Sequence, residues 1–230
     1  SDLGLMGERP SHKELLDWLT ATFVENGWSL KKLHKLILMS NTYQQSSAHN
    51  AVAAKVDPEN KLLWKFNRRR LEGEIIRDSI LYTAGVLNAK MYGPGVFPPL
   101  PPGVETRGGW KKNEDPSEIT RRSVYVFVRR NTRYPLFEAF DMPDTHESCA
   151  RRMPTVSPTQ ALALVNDEQI AGYGGNAFAK RVANDSGMCR AEWVDRAWKL
   201  AYLRSPSEEE KTSALAFLER QSQLSGNAEA

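Results

Sequence analysis

The side chains most capable of chemistry lie close together in the stretch between Arg121 and Ile170. Acids, a histidine and a cysteine follow one another there: Asp141, Asp144, His146, Glu147 and Cys149. Asp141, Asp144 and His146 are candidates for general acid or base catalysis, because positioned groups of these types transfer protons. Each is also a metal-ligand type, but the spacing matches no established motif such as His-Glu-x-x-His, and we assign no metal site. We favour a structural role, in which the carboxylates cap turns or pair with nearby arginines.

Arginines are the natural partners of these acids, and they occur in pairs around the same stretch. Guanidinium groups bind carboxylate, sulfate and phosphate with two parallel hydrogen bonds. If they converged, they would make an anion site from Arg69, Arg122, Arg129, Arg130, Arg151 and Arg152. The alternative, which we favour, is that each arginine pair holds a local acid. Charged groups that become buried need such partners.

Trp110 differs from the other tryptophans because it falls in a Pro/Gly-rich segment, residues 93–116, and not on a helical stretch. Prolines and glycines at this density exclude a helix and predict a long irregular loop. Trp110 could stack on a sugar ring, or it could pin the loop to the core. The sequence leaves both roles open. It also leaves open whether Cys149 and Cys189 are bridged or free.

Composition limits the class of protein. The 230 residues are 40% hydrophobic and 26% charged, typical of a globular chain with a sizeable core, and we predict a single domain over residues 1–230. A net charge of +3 is too weak to indicate nucleic acid as a partner. No apolar run approaches the ~20 residues of a membrane span. The chain starts without Met, and we expect it to be the C-terminal fragment of a longer multidomain protein.

One short stretch predicts a strand, and the rest of the patterned sequence predicts helices. Ser123–Val128 is rich in Val, Tyr and Phe, with apolar residues on both alternating faces. Apolar stripes and start signals predict helices after Ser11, Ser29, Asp57, Pro135, Ser157 and Ser207, and over 71–87 and 190–202. Ala171–Gly175 is glycine-rich and predicts a break in the helix that begins after Ser157. The predicted fold is mainly α: a compact multi-helix domain with one short β element and a long Pro/Gly-rich loop.

Several separated blocks agree, in order, with one known family. They include HKELLDWLTATFVENGWSLKKLHKLILMSNTYQQSS, DPENKLLWKFNRRRLEGEIIRDSIL, RRSVYVFVRR, LFEAFDMPD and CARRMPTVSPTQALALVND. The chain therefore resembles, from His12 to Leu218, the planctomycete cytochrome-c-associated C-terminal domain family, which has no known function (DUF1553). In that family a longer helix commonly stands where this chain has Ala171–Gly175.

The resemblance implies a setting but no reaction. Such domains typically end long exported proteins that begin with a c-type haem domain, which implies a periplasmic or otherwise exported location. This chain has no Cys-x-x-Cys-His, so any haem c would belong to a missing N-terminal domain. The family's neighbours include sulfatases and polysaccharide-degrading functions. The partners implied are therefore the other domains of the full-length protein and an anionic polysaccharide, with no nucleic acid and no membrane span.

These observations give a function prediction with one alternative. We predict an accessory binding or structural module of a larger exported, cytochrome-c-associated protein, linked to polysaccharide metabolism. The alternative is a polysaccharide-acting enzyme that uses Asp141 or Asp144 as acid or base. An enzyme requires these carboxylates in an open pocket, whereas a structural module requires them to be engaged by partners.

Overall fold

The computed structural model describes residues 7, 9–104, 109–130, 132–146, 148–149, 151–187 and 189–225. The chain is 54% helical and has almost no strand, which confirms the predicted mainly α class. Its internal contacts divide it into two units, residues 1–70 and 71–230, called here the N-terminal and C-terminal units. The single domain expected from the sequence stays a prediction. Among the described residues, no helix combines the length and apolarity needed to cross a bilayer.

The N-terminal unit contains four helices in its described part: α1 (Lys13–Glu25), α2 (Leu30–Leu38), α3 (Asn41–Gln44) and α4 (Ala51–Val56). The connection between α1 and α2 follows the predicted chemistry. Gly27 adopts φ +71° just after α1, a left-handed conformation that glycine tolerates best. The Ser29 hydroxyl then accepts a hydrogen bond from the Lys32 backbone N–H and caps α2.

One predicted cap and one predicted helix start in this unit are wrong. Ser11 makes no cap for α1; its hydroxyl contacts the neighbouring His12 ring, and His12 occupies the cap position. Asp57 ends α4 and starts no new helix. Its carboxylate accepts hydrogen bonds from the backbone N–H groups of Lys61 and Leu62, at 3.0 and 2.7 Å, and so organises a loop. A carboxylate serves turns and caps equally well, which is why the sequence misled.

The C-terminal unit is a series of mostly short helices followed by two long ones. Its α-helices are α5 (Gly73–Thr83), α6 (Pro116–Ile119), α7 (Pro135–Ala139), α8 (Pro158–Asn166), α9 (Glu168–Ile170), α10 (Phe178–Asp185), α11 (Arg190–Tyr202) and α12 (Glu208–Ser225). The predicted capping box at the start of α8 is present, and so is the reciprocal pair between Ser207 and Glu210 at the start of α12. The Pro/Gly-rich loop predicted over residues 93–116 is irregular in its described part, 93–104 and 109–115, as expected.

The predicted strand at Ser123–Val128 is wrong as a regular strand. Ser123–Tyr125 forms a 3₁₀ turn, and Val126 makes an isolated parallel bridge with Val96. The Ser123 backbone N–H donates to the Asp78 carboxylate at 2.7 Å, so a side chain satisfies the group that a ladder would use. Val124 is exposed whereas Val126 is buried, so the two do not share one covered strand face. The described residues contain isolated β-bridges and no longer strand.

The helix predicted from Thr159 to Ile170, with a break after it, is also corrected. α8 ends at Asn166 because Asp167 caps a new helix, its carboxylate accepting from the N–H groups of Gln169 and Ile170. The glycine-rich segment Ala171–Ala177 then continues as a π-helical turn into α10. A wider turn absorbs the glycines without ending the helix.

The core of the C-terminal unit lies where α7 meets the long loop. Its fully buried members are Val96, Val126, Tyr134, Leu136, Phe137 and Phe140. Helix α5 packs closely against α7 at Gly73, where an added Cβ would lie 3.1 Å from the Phe137 Cα. A side chain at this position would therefore push the two helices apart. This core fixes the segments that carry the predicted polar residues.

Candidate functional site

The two candidate catalytic carboxylates both hold segments of backbone. Asp141 adopts φ +60° directly after α7, and its carboxylate accepts from the Thr155 backbone N–H at 2.7 Å and from the Thr155 hydroxyl at 2.9 Å. Asp144 accepts from the His146 backbone N–H at 3.0 Å and lies 3.1 Å from an Arg133 guanidinium nitrogen. The hydrogen bond from His146 and the nearby Arg133 charge lower the pKa of Asp144. That carboxyl is therefore an ionised acceptor at neutral pH and a poor proton donor.

The other members of the acidic stretch lie at the surface. The side chains of His146 and Cys149 are exposed, and both Cys149 and Cys189 are free thiols. Glu147 lies outside the described residues. Across the described part of the chain, no cluster of three or more His, Cys, Asp or Glu side chains is placed to hold a metal ion.

Among the arginines singled out from the sequence, Arg152 has well-formed hydrogen bonds to acidic side chains. Its guanidinium binds Glu74 through two hydrogen bonds of 2.8 and 2.9 Å and reaches Glu72 at 3.1 Å. Both glutamates lie at the start of α5, where negative charge also favours the helix dipole. Partial burial disfavours ionisation of Glu74, but the hydrogen bonds and charge of Arg152 outweigh it, and the pKa of Glu74 is lowered. The pair ties the 151–157 segment to α5.

The remaining predicted arginines have separate surroundings. Arg122 is half exposed and lies 3.9 Å from Asp78. Arg130 and Arg151 are exposed, while the Arg129 guanidinium lies against the backbone of Gly109. Arg69 belongs to the N-terminal unit. The anion site that would use all of these guanidinium groups together stays a prediction.

Sequence reasoning missed Arg121 as the polar centre of the C-terminal unit. Its side chain is 0% exposed, donates to Glu118 at 3.1 Å and reaches the carbonyl oxygens of Lys90, Tyr92 and Pro94. The guanidinium also stacks on the Tyr125 ring, 4.0 Å from its centroid. The Glu118–Arg121 spacing of three residues was the available signal, but such a pair is more often exposed.

Arg77 of α5 forms the second half of this buried network. Its guanidinium donates to the carbonyl oxygens of Arg121 and Ile119, at 2.9 and 2.5 Å, and to the Ser123 hydroxyl at 3.2 Å. Two buried arginines therefore bind backbone outside the segment predicted as a strand, and Arg77 also reaches the hydroxyl of that segment's first residue, Ser123. Their role is to fix backbone, since their donors are directed at carbonyl oxygens of the chain itself.

Trp110 is built into the edge of the core. Its indole N–H donates to the Pro98 carbonyl oxygen at 2.7 Å, and its ring stacks on Tyr134 at a centroid distance of 6.4 Å. Phe97 meets the same ring edge-on. These contacts pin the loop. Sugar stacking by Trp110 stays a prediction.

The described part of the N-terminal unit contains a large concave groove, called here the α1–α2 groove. It has a volume of about 1150 Å³ and is bounded by α1, α2 and residues 62–69. Its apolar lining includes Leu15, Trp18, Phe23, Leu36, Ile37 and Phe66. The apolar stripes that predict α1 and α2 supply this lining, yet none of the residues in α1 to α4 is fully buried.

Exposure along the groove is high for side chains of this type. Trp18 is 52% exposed, Met39 is 66% exposed and Leu62 is 69% exposed. Single exposed apolar residues are normal on proteins, whereas contiguous apolar surface around a groove marks an interaction site. The sequence pattern identified the apolar faces of α1 and α2 but could not show whether another element packs against them.

The rim of the groove is positively charged. Lys32, Lys35, Lys65 and Arg69 line it, together with His12, and the described lining contains no aspartate or glutamate. The acids of α1, Glu14, Asp17 and Glu25, are exposed but are not part of the lining. The groove therefore joins an apolar floor to a cationic rim.

A family model described as PSD1, a protein of unknown function (DUF1553), matches residues 1–218 of the chain. No curated protein matches the chain, and no solved structure does. The family match covers both units almost completely.

Proposed function

Because the chain belongs to the PSD1 family of proteins of unknown function (DUF1553), we propose that it serves as an accessory binding and structural module of a larger protein. In this proposal the N-terminal unit docks onto another part of that protein, and the C-terminal unit supplies a rigid body. The observation that carries the proposal is the α1–α2 groove. Its apolar floor is open in a chain whose C-terminal unit has a well-covered core.

The physical argument is the cost of leaving this surface in water. Each Å² of apolar surface removed from water stabilises by about 25 cal/mol, so covering a groove of this size is favourable. Trp18, Met39 and Leu62 would gain most, since about half or more of each side chain is accessible. A partner that covers them completes the core that α1 and α2 begin.

The wider setting in the proposal comes from the family resemblance over residues 12–218. The larger protein is exported and carries a c-type cytochrome domain, so any haem c sits in that other domain. An anionic polysaccharide is the proposed substrate of the assembly, and the other domains are the immediate partners.

The enzyme alternative has no specific observation in its favour. Asp141 is held by Thr155, and Asp144 is held by Arg133 and the His146 backbone. Groups that fix backbone in this way serve a module better than a proton-transfer site.

Co-elution of two separately expressed polypeptides tests the proposal. The 230-residue chain is mixed with the remainder of the proposed full-length protein, and the mixture is analysed by size-exclusion chromatography. We expect a complex with the wild-type chain. We expect none with the variant Met39→Asp/Leu62→Asp, because a charge at the groove opposes apolar contact. Leu62 and Met39 both line the groove.

The matched control is Val52→Asp/Val56→Asp on α4. These valines are 76% and 78% exposed in the same unit but do not line the groove. This control should still form the complex. Separate elution of the folded wild-type chain and the folded remainder would contradict the proposal, and so would equal loss of binding in both variants.

A further inference from the structure

The charges around the α1–α2 groove are arranged to select an occupant. Lys32 and Lys35 lie one helical turn apart on α2, while Lys65 and Arg69 come from a separate lining segment, residues 62–69. No carboxylate of the described lining neutralises them. An occupant with acids along both edges would meet a cation on each side, and this complementarity would orient it and speed its association.

The shape of the groove selects the conformation of the occupant. The described part of the N-terminal unit has no β-bridge, so it offers no sheet edge to which a peptide could add as a strand. The groove of about 1150 Å³ exceeds the roughly 300–1,000 Å³ of small-molecule sites. Its long wall, the thirteen-residue α1, is about 20 Å long. A helix of three to four turns matches that length.

We infer that the α1–α2 groove binds an amphipathic helix with acidic flanks, supplied by a partner domain outside this chain. The inference rests on the proposed function and adds the chemistry of the partner. Apolar anchors at positions i, i+3, i+4 and i+7 enter the floor, and glutamates or aspartates on either side reach the rim cations.

Two other occupants fit less well. A second copy of this chain that donated its α1 would use Leu15, Leu19 and Phe23, which already line the groove of their own copy. An anionic bilayer would attract the lysines of α2 but would be repelled by the exposed acids of α1. A flat membrane surface also cannot reach the floor of a concave groove.

The test uses the whole chain and three synthetic eighteen-residue helical peptides, each with leucine at positions i, i+3, i+4 and i+7. The first carries glutamate on the flanks, the second carries lysine, and the third is a scrambled form of the first. Binding is measured by fluorescence anisotropy at low and high salt. We expect the acidic peptide to bind at least about tenfold more tightly than the other two, with affinity falling as salt screens the rim.

Charge reversal locates the site. Lys32→Glu/Lys35→Glu changes two lining residues and should weaken binding of the acidic peptide about tenfold or more. The matched control Lys13→Glu/Lys31→Glu makes the same charge change on α1 and α2 at exposed positions outside the lining, and should weaken it less than threefold. Circular dichroism checks that all variants fold.

The outcomes separate this inference from the proposed function. Equal binding of acidic and basic peptides overturns the acidic assignment but leaves the co-elution result intact. Equal weakening by both charge reversals overturns the location. Two further results would overturn the inference by pointing to another occupant. One is that the chain dimerises and that Lys32→Glu/Lys35→Glu abolishes the dimer. The other is that the chain binds vesicles of anionic phospholipid but binds no peptide.

Discussion

Replacing Arg121 by methionine is the most informative change to the buried polar network. Methionine keeps an apolar stem of similar length but removes every guanidinium donor. Four acceptors lose a partner: the Glu118 carboxylate and the carbonyl oxygens of Lys90, Tyr92 and Pro94. Stacking on the Tyr125 ring is lost as well.

The magnitude follows from the burial of the site. The Arg121 side chain is 0% exposed, so water cannot replace its hydrogen bonds without opening the structure. Glu118 keeps Lys90 as an ion-pair partner, but three carbonyl oxygens lose their Arg121 donor, and a buried polar group left without its hydrogen bond costs about 1–3 kcal/mol. We therefore expect a loss of about 4 kcal/mol in the free energy of unfolding. For a unit of this size that corresponds to a fall of about 10 °C in Tm.

The neighbouring residue supplies the control. Arg122 is 50% exposed and lies 3.9 Å from Asp78, so Arg122→Met should change the free energy of unfolding by about 0.5 kcal/mol or less. Urea unfolding at pH 7, followed by circular dichroism, compares the two variants. If Arg121→Met is no more destabilising than Arg122→Met, the buried network does not hold the 119–126 segment and the reasoning fails.

Three further changes test other parts of the C-terminal unit. Arg152→Gln should lower the free energy of unfolding by about 1.5 kcal/mol, whereas Arg151→Gln, at an exposed position, should lower it by less than about 0.5 kcal/mol. Because the pKa of Glu74 is lowered in the folded chain, this difference should persist above pH 4.5 and vanish as the pH falls through the lowered value. A difference that is absent at every pH would show that the ion pair is inert. Gly73→Ala should destabilise the chain by about 1–3 kcal/mol in chemical denaturation. The control Gly172→Ala should be neutral or stabilising, because the added Cβ would lie in open space. Equal effects of the two changes would contradict the close approach of α5 to α7. Burial raises the pKa of Tyr134 from 10.0 to about 12. The contribution of this neutral phenol to stability is therefore complete below pH 10 and is lost as the pH rises toward 12. Tyr134→Phe should make the free energy of unfolding fall less steeply at alkaline pH, and an unchanged slope would refute this.

Local capping chemistry was the part of the fold that the sequence predicted well. The reciprocal pairs at Ser157 and Ser207 and the cap at Ser29 are present, and α11 spans Arg190–Tyr202 as expected. Such signals act over three or four residues, so they survive whatever the rest of the chain does. Asp57 shows the limit, because its carboxylate organises a loop with the same chemistry as a cap.

Burial of charge could not be predicted. Arg121 and Arg122 are adjacent and chemically identical, yet one is fully buried and the other is half exposed. The difference depends on where α5 places Arg77 and Asp78, some forty residues away in sequence. The Asp78 carboxylate also accepts from the Ser123 backbone N–H, at the start of the 3₁₀ turn that replaces the predicted strand.

The candidate groove was visible in the sequence only as two apolar stripes. Periodicity shows which residues share a helix face, but not what lies opposite that face. Residues of these stripes such as Leu15 and Ile37 line an open groove, which their spacing alone does not show. Which basic residues line the groove also depends on how α2 and residues 62–69 pack together, and the spacing of the residues does not show this.

Hydrogen exchange of the N-terminal unit tests the central claim most directly. Backbone amides of α1 and α2 are compared, under the same conditions, between this chain alone and the larger, full-length protein to which we propose that it belongs. If a partner domain covers the α1–α2 groove, exchange in both helices should slow at least about tenfold in the full-length protein, while α11 changes little. Identical exchange in the two forms would show that the groove stays open and would contradict the account.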